Sequence, residues 1–197
     1  MANKDQIQFY DNFVGHFDEQ KDNYRNTSFR NWIVKWIKPG IKVLDFGCAL
    51  GYNSGFLKDV AVTGVDISPE CIRIAKERYP DCSWHCMDIC MEEAQQFFPD
   101  EQFDCVLMSD VIEHVPMSNW LNLFRFLGKH TTQNSIILAS VPNVEFHEQA
   151  LKDTPQPVEE KAEVILILDA MQLHGFKRII SLFLFERVYY RMVIQKV

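Results

Sequence analysis

Asp45, Gly47, Ala49 and Gly51 alternate along one short stretch, and a second acid, Asp66, closes the apolar run that follows. Small residues let a backbone approach a ligand closely. A carboxylate can accept hydrogen bonds from both hydroxyls of a ribose. This combination is the chemistry of a nucleoside-cofactor site. The dinucleotide fingerprint G-x-G-x-x-G is not met, because Tyr52 and Asn53 open the piece where its last glycine belongs. Ala49 is expected at negative φ, a conformation that alanine adopts without strain.

The elements that must position these groups can be read from K-V-L-D-F-G-C-A-L-G-Y-N-S-G-F-L-K-D-V-A-V-T-G-V-D, starting at Lys42. Val43-Leu44 is a short apolar run closed by Asp45. A turn follows, then a helix-like piece over Tyr52 to Lys58, then a second apolar run over Ala61 to Val65. That order is strand, tight turn, helix, strand, with a carboxylate at the carboxyl end of each strand. Ligands of open parallel sheets sit in the crevice beyond those ends.

The pattern resembles the first motif of class I S-adenosylmethionine-dependent methyltransferases, usually D-x-G-x-G-x-G, with Ala49 standing where a glycine is common. The segment S-D-V-I-E-H-V-P, Ser109 to Pro116, resembles its counterpart in small-molecule O- and N-methyltransferases of the ubiquinone-biosynthesis type. The V-P-N ending at Asn143 recurs in the same branch. The resemblance spans about residues 41 to 197 and is most specific at 43–66 and 104–116. It implies an α/β fold: a three-layer, Rossmann-like, seven-stranded sheet of order 3-2-1-4-5-7-6, with strand 7 antiparallel and an N-terminal helical lid. It also implies one methyltransferase domain over 1–197, with the lid at 1–40 and the core at 41–197.

The cofactor implied by the resemblance is S-adenosylmethionine, and no metal is expected. Its contacts are expected from Asp45, Gly47, Cys48, Ala49, Gly51, Asn53, Asp66, Ile67, Asp88, Ile89 and Ser109. Of these, Asp66 matches the family's ribose-binding acid, Asp88 its adenine-amino acceptor, and Ile89 a residue packing on adenine. His114 is the first candidate for a general base and Glu113 the second, since an imidazole titrates near neutrality. Both can equally brace the turn before Pro116. Tyr10, within F-Y-D-N-F, is the lid candidate, either hydrogen-bonding near the ligand or simply packing. Phe9, Phe13 and Trp120 can offer aromatic faces to a sulfonium. The activity implied is methyl transfer to an oxygen or nitrogen of a small molecule by in-line displacement. A protein or RNA acceptor, and a module that binds S-adenosylmethionine without turnover, are the alternatives.

Composition narrows the partners. The 197 residues are 47% hydrophobic and 24% charged, which is ordinary for a globular chain of one domain. A formal net charge of −7 argues against nucleic acid, whose phosphates call for a basic face. No apolar run approaches the roughly 20 residues of a membrane span. The opening M-A-N-K-D-Q-I-Q-F has no signal-peptide core, and six cysteines without one are expected to be reduced in a cytoplasmic protein. A small-molecule substrate and a monomer or homodimer are expected. Cys82, Cys86 and Cys90 beside His85 meet no known zinc spacing, and Cys82, Trp84 and Cys86 are expected to share a core face of strand 3.

Phe9, Phe13 and Phe17 predict one helical face, and Ser28 to Ile37 a second helix stopped at Pro39-Gly40. Ser68-Pro69-Glu70 predicts a capped helix to about Arg78. Strand 3 is expected over Cys82 to Met87, strand 4 over Phe103 to Met108, a helix over Ser118 to Leu127 and strand 5 over Asn134 to Val141. Asn143 to Glu160 reads as a loop past a strand end, with Phe146 and His147 as substrate-contact candidates. A last helix over Val158 to His174 and a hairpin, Phe176 to Phe185 and Val188 to Val197, complete the chain.

Overall fold

Val43, Leu44, Asp45 and Phe46 are buried in succession, the signature of a strand covered on both faces. The computed structural model describes residues 4–98, 100–145, 157–158, 160 and 162–197, in two compact units, Met1–Asp88 and Ile89–Val197. The first unit holds three parallel strands, β1 (Lys42–Phe46), β2 (Ala61–Asp66) and β3 (Ser83–Cys86). Their register sets Asp45 beside Gly64, and Asp66 beside Cys86. Helices α1 (Lys4–Asn12), α2 (Val14–Gln20) and α3 (Tyr24–Ile33) precede β1, and α4 (Pro69–Arg78) joins β2 to β3.

The second unit holds β4 (Phe103–Ser109), α5 (Trp120–Lys129), β5 (Thr131–Pro142), α6 (Val164–Gln172), β6 (Phe176–Phe185) and β7 (Tyr189–Lys196). β4 and β5 run parallel, and β7 runs antiparallel to both β5 and β6. The seven strands follow the order β3-β2-β1-β4-β5-β7-β6, as the resemblance implies. Among the described residues no helix is long and apolar enough to cross a membrane.

Most elements follow their local chemistry. Ser68 caps α4, its Oγ accepting from the Cys71 amide at 3.0 Å, while Pro69 takes the first turn and Cys71, Ile72, Ile74 and Ala75 face inward. Glu186 and Arg187, the first two of the three residues that join β6 to β7, both take positive φ, 49° and 62°, and the Val188 amide closes the turn on the Phe185 carbonyl at 3.0 Å.

Six expectations give way. The piece after Gly51 is a succession of turns, not a helix to Lys58: Gly51 starts it at φ 78°, and Gly55 leaves no room for a side chain against the Tyr79 ring. The N-terminal helix breaks at Phe13, although Phe9, Phe13 and Phe17 still touch ring to ring at 5.1 and 5.2 Å. The second helix begins earlier, where Asn23 caps it by accepting from the Asn26 amide, and ends at Ile33 in a turn. On β3 only Trp84 is buried; Cys82 is partly covered and Cys86 exposed. The last helix starts only at Val164, because residues 158 and 160 are held by the turn after β4. The expected loop after Asn143 is already helical at Val144 and Glu145.

Trp84 is the pivot of the first unit's core. Its ring lies on Gly64, where a Cβ would stand 2.2 Å from the indole carbons, and its Nε1 donates to the Tyr79 carbonyl at 2.9 Å. Gly64→Ala is therefore expected to lower stability by about 1–3 kcal/mol through overpacking. Gly15→Ala on α2, where nothing lies within 4 Å, is expected to raise it by roughly 0.5–1 kcal/mol. Urea unfolding of both variants reads the contrast.

Candidate active site

Gly47, Ala49 and Gly51 have φ of 68°, 44° and 78°, so the chain after β1 turns through left-handed positions at every second residue. The bend is held from β2. The amides of Gly47 and Cys48 both donate to the Val65 carbonyl, at 2.9 and 3.1 Å. The Ala49 amide donates to Asp66 Oδ2 at 2.9 Å, and the Gly51 amide to the Cys48 carbonyl at 2.8 Å. Four amides of the loop are thus used internally. A phosphate-binding loop needs its N–H groups pointed at the ligand, and this one has turned three of them toward β2 and the fourth back onto its own carbonyl.

The positive φ of Ala49 overturns the expectation of a relaxed alanine. A left-handed alanine costs about 1–2 kcal/mol, whereas a hydrogen bond to a charged group contributes roughly 1.5–3 kcal/mol. The Asp66 bond therefore outweighs the strain. Cys48, expected at the cofactor, is 5% exposed and packs into the cluster of Val62, Ile72, Ala75 and Trp84, so only its backbone lines the loop.

Two carboxylates converge on this bend. Asp45 is 1% exposed and accepts from Ser54 Oγ at 2.6 Å. Burial pushes its pKa up to about 7; the Ser54 bond opposes the shift and the Asp66 charge adds to it. Asp66 is partly exposed, and its Oδ1 accepts from the Ser68 amide at 2.9 Å. Burial raises its pKa too; amides of Ser68, Ala49 and Ile67 pull the other way, and the Asp11 charge reinforces the rise. With the Ala49 amide on one oxygen, the Ser68 amide on the other and the Ile67 amide close by, the carboxylate still keeps acceptor capacity for ligand hydroxyls. In the turn beyond, the Asn53 Oδ1 is buried with no hydrogen-bond partner among the described residues. Asp88 follows β3 by two residues and is partly buried, and the intervening Met87 amide bonds the Asp66 carbonyl at 2.8 Å.

The N-terminal helices are strapped to this cluster. Asp11 Oδ1 accepts from Ser68 Oγ at 2.5 Å and from the Glu70 amide at 3.3 Å, so α1 caps α4 beside Asp66. Asp18 pairs with Arg78 through two bonds of 2.7 and 2.9 Å and accepts from the Tyr52 hydroxyl. Tyr10 is half-buried on α1, its ring edge-on to Phe9 at 5.3 Å. Ser54, Ser68 and Asp11 were missed as site residues. Ser68 shows in the sequence only as a helix cap, and nothing in the sequence signals the other two.

In the second unit, Ser109 ends β4 opposite Ser140 of β5. Asp110 takes φ 49°, its amide bonding the Ser140 carbonyl at 2.9 Å and its carboxylate accepting from Ser140 Oγ at 3.1 Å. Glu113 is 2% exposed, and its carbonyl accepts from the Glu160 amide at 2.7 Å. His114 Nδ1 lies 3.3 Å from the Val158 carbonyl, and its Nε2 lies 3.8 Å from Glu113 Oε1. Ile89 is fully buried. Trp120 is no aromatic face for a ligand: it is 4% exposed and donates to the Val115 carbonyl at 2.9 Å. Phe146 and His147 lie outside the described residues.

The strand order and the carboxylate-held bend define a class I methyltransferase fold, of the kind that uses S-adenosylmethionine. A family model described as a methyltransferase domain matches residues 17–178, and the chain belongs to that family. It is 30% identical over 105 residues to cyclopropane-fatty-acyl-phospholipid synthase of Escherichia coli K12, covering 52% of this chain and 26% of that protein. It is 31% identical over 122 residues to phosphoethanolamine N-methyltransferase 1 of Arabidopsis thaliana, covering 57% and 24%. The chain thus spans about a quarter of the length of these curated relatives. Among solved structures, the N-methyltransferase NodS of Bradyrhizobium japonicum, in complex with S-adenosylhomocysteine, superposes with a TM-score of 0.76 at 13% identity, over 98% of this chain and 99% of that one.

The first unit's residues fit that cofactor. The loop withholds its N–H groups from an anion, Asp66 has acceptor capacity for ligand hydroxyls, and the Asn53 oxygen and Asp45 can both receive a donor.

Two outcomes are expected. Ala49→Gly removes the left-handed penalty of about 1–2 kcal/mol but adds unfolded-state freedom of about 0.4–1 kcal/mol. A small net rise in melting temperature is expected. For Asp45, the folded pKa of about 7 lies above the ordinary 3.8, so the unfolded chain ionises first as pH rises. Unfolding of the cofactor-free protein is then easier by a few kcal/mol at pH 8 than at pH 4 on this group's account. Asp45→Asn should remove that slope, read by urea titrations across the range.

Proposed function

We propose that the chain is an S-adenosylmethionine-dependent methyltransferase that methylates an oxygen or nitrogen of a small molecule. The observation that carries this reading is the loop whose amides turn away from any ligand, between two carboxylates. Such a surface suits a cationic, hydroxyl-bearing adenosyl amino acid and not a pyrophosphate. The family match over 17–178 runs through both units, which supports reading residues 1–197 as one methyltransferase domain.

When bound, S-adenosylmethionine supplies an electrophilic methyl group on a sulfonium, and the displaced sulfur leaves as a neutral thioether. Asp66 holds the ribose hydroxyls, with the amides of Ala49 and Ser68 fixing its carboxylate plane. Asp45 and the Asn53 oxygen receive the ammonium of the amino-acid end. Asp88 accepts from the adenine amino group. Positioning of this kind can supply roughly 7–11 kcal/mol of the barrier reduction.

The acceptor's proton is assigned to His114. A tautomer with Nδ1–H on the Val158 carbonyl leaves Nε2 with its lone pair, and Glu113 lies where it favours the imidazolium that results. Glu113 acts through His114 and does not itself take the proton. Tyr10 is read as a lid residue, carried on the helix that Asp11 ties to Ser68.

Calorimetric titration with S-adenosylhomocysteine tests the cofactor half. Binding is expected, and Asp66→Asn should weaken it by about 10- to 100-fold, the scale of one charge-assisted hydrogen bond. No measurable binding to the parent protein would sink the reading. With an acceptor in hand, His114→Ala is expected to lower kcat by about 10²–10⁴ while leaving that binding unchanged. Unchanged turnover removes the base.

A further inference from the structure

Asp11 lies in the last turn of α1 and Asp18 in the last turn of α2, and neither of those turns holds a basic residue. The C-terminal end of a helix carries partial negative charge, so an acid there costs its own helix about 0.3–1 kcal/mol. Both acids serve α4 instead. Asp11 accepts from Ser68 Oγ and the Glu70 amide, at the end of α4 where negative charge is favoured. Asp18 pairs with Arg78 in the last turn of α4 and accepts from the Tyr52 hydroxyl. Between these two anchors, Val14 and Phe17 pack on Leu50, Cys71 and Ile74. Residues 11–18 are thus held at both ends of α4 and along its length.

The Asp11 anchor stands two residues from the acid at the end of β2. Ser68 is fully buried, and each of its polar atoms is engaged. Its amide donates to Asp66 Oδ1 at 2.9 Å, and its carbonyl accepts from the Ile72 amide at 3.2 Å. Its Oγ accepts from the Cys71 amide at 3.0 Å and donates its one hydrogen to Asp11 at 2.5 Å. Without Asp11 that buried hydroxyl loses its acceptor, which is costly, and the residue that orients the Asp66 carboxylate must shift to find another.

Charge and geometry act on Asp66 with opposite signs. Burial raises its pKa and the Asp11 charge adds to the rise. By charge alone, removing Asp11 would favour the ionised carboxylate and tighten its hold on hydroxyl donors. Weaker binding on removal of Asp11 is therefore the mark of lost geometry.

We propose that Asp11 is a positioning residue for the cofactor: through Ser68 it holds the Asp66 carboxylate in the orientation that accepts the ribose hydroxyls. This rests on the reading of Asp66 as the ribose acid given above. Calorimetric titration of the full chain with S-adenosylhomocysteine tests it. Asp11→Ala is expected to weaken binding by about 3- to 10-fold, the scale of one hydrogen bond. Asp11→Asn keeps an acceptor oxygen for Ser68 and should weaken it less. In an Asp66→Asn background Asp11→Ala should cost under about twofold, because the group it positions is already altered. Loss of α1 docking as a merely structural effect would instead weaken binding equally in both backgrounds. Melting curves check the folding of each variant, and if Asp11→Ala does not fold, Asp11→Asn in the two backgrounds decides. Absence of binding by the parent chain overturns this proposal together with the methyltransferase reading. Parent binding that Asp11→Ala leaves unchanged, tightens, or weakens equally in both backgrounds overturns this proposal alone.

Discussion

The carboxylate of Asp66 holds two backbone amides at once, that of Ala49 on one oxygen and that of Ser68 on the other. The first bond sets the bend after β1. The second sets the entry to α4, whose cap Ser68 in turn binds Asp11 of α1. One side chain at the end of one strand therefore orders the loop, the following helix and the N-terminal segment. That is why a left-handed alanine is tolerated in the bend.

The same bend brings a second, fully enclosed acid near the first, and neither has a cation beside it among the hydrogen bonds that hold them. Asp45 answers by shifting its pKa up to about 7. Two desolvated carboxylates destabilise the cofactor-free fold and favour any ligand that brings a positive charge. Local instability and ligand preference thus share a physical origin, a familiar trade in binding sites. In the second unit the turn after β4 is organised differently. There, buried Glu113 and partly exposed His114 are braced by the main chain of residues 158 and 160, which orients an imidazole at the expense of a longer α6.

The strand ends, the αβ alternation and the closing hairpin were legible because burial on both faces leaves unbroken apolar runs such as Val43-Leu44 and Cys105 to Met108. α4 was legible to within a residue because Ser68, Pro69 and Glu70 act on their own helix. Helix ends that depend on distant partners were not legible. The start of α6 depends on what Glu160 bonds, and the break at Phe13 leaves no local mark. Trp120 looked available only because a sequence does not say which ring finds the Val115 carbonyl.

The sequence by itself determined which chemistry was available: two acids at strand ends, small residues between them, and a histidine after the fourth strand. Spacing along a chain carries that information, since strand and turn periods are local properties of the backbone. Only the tertiary structure decided how those groups are used. It turned three of the loop amides toward β2, put Ala49 at positive φ, buried Cys48, and recruited Ser54 and Asp11 from positions without any motif. Each of these outcomes depends on a hydrogen bond or a packing contact between residues far apart in the chain, and no local pattern records such a partner.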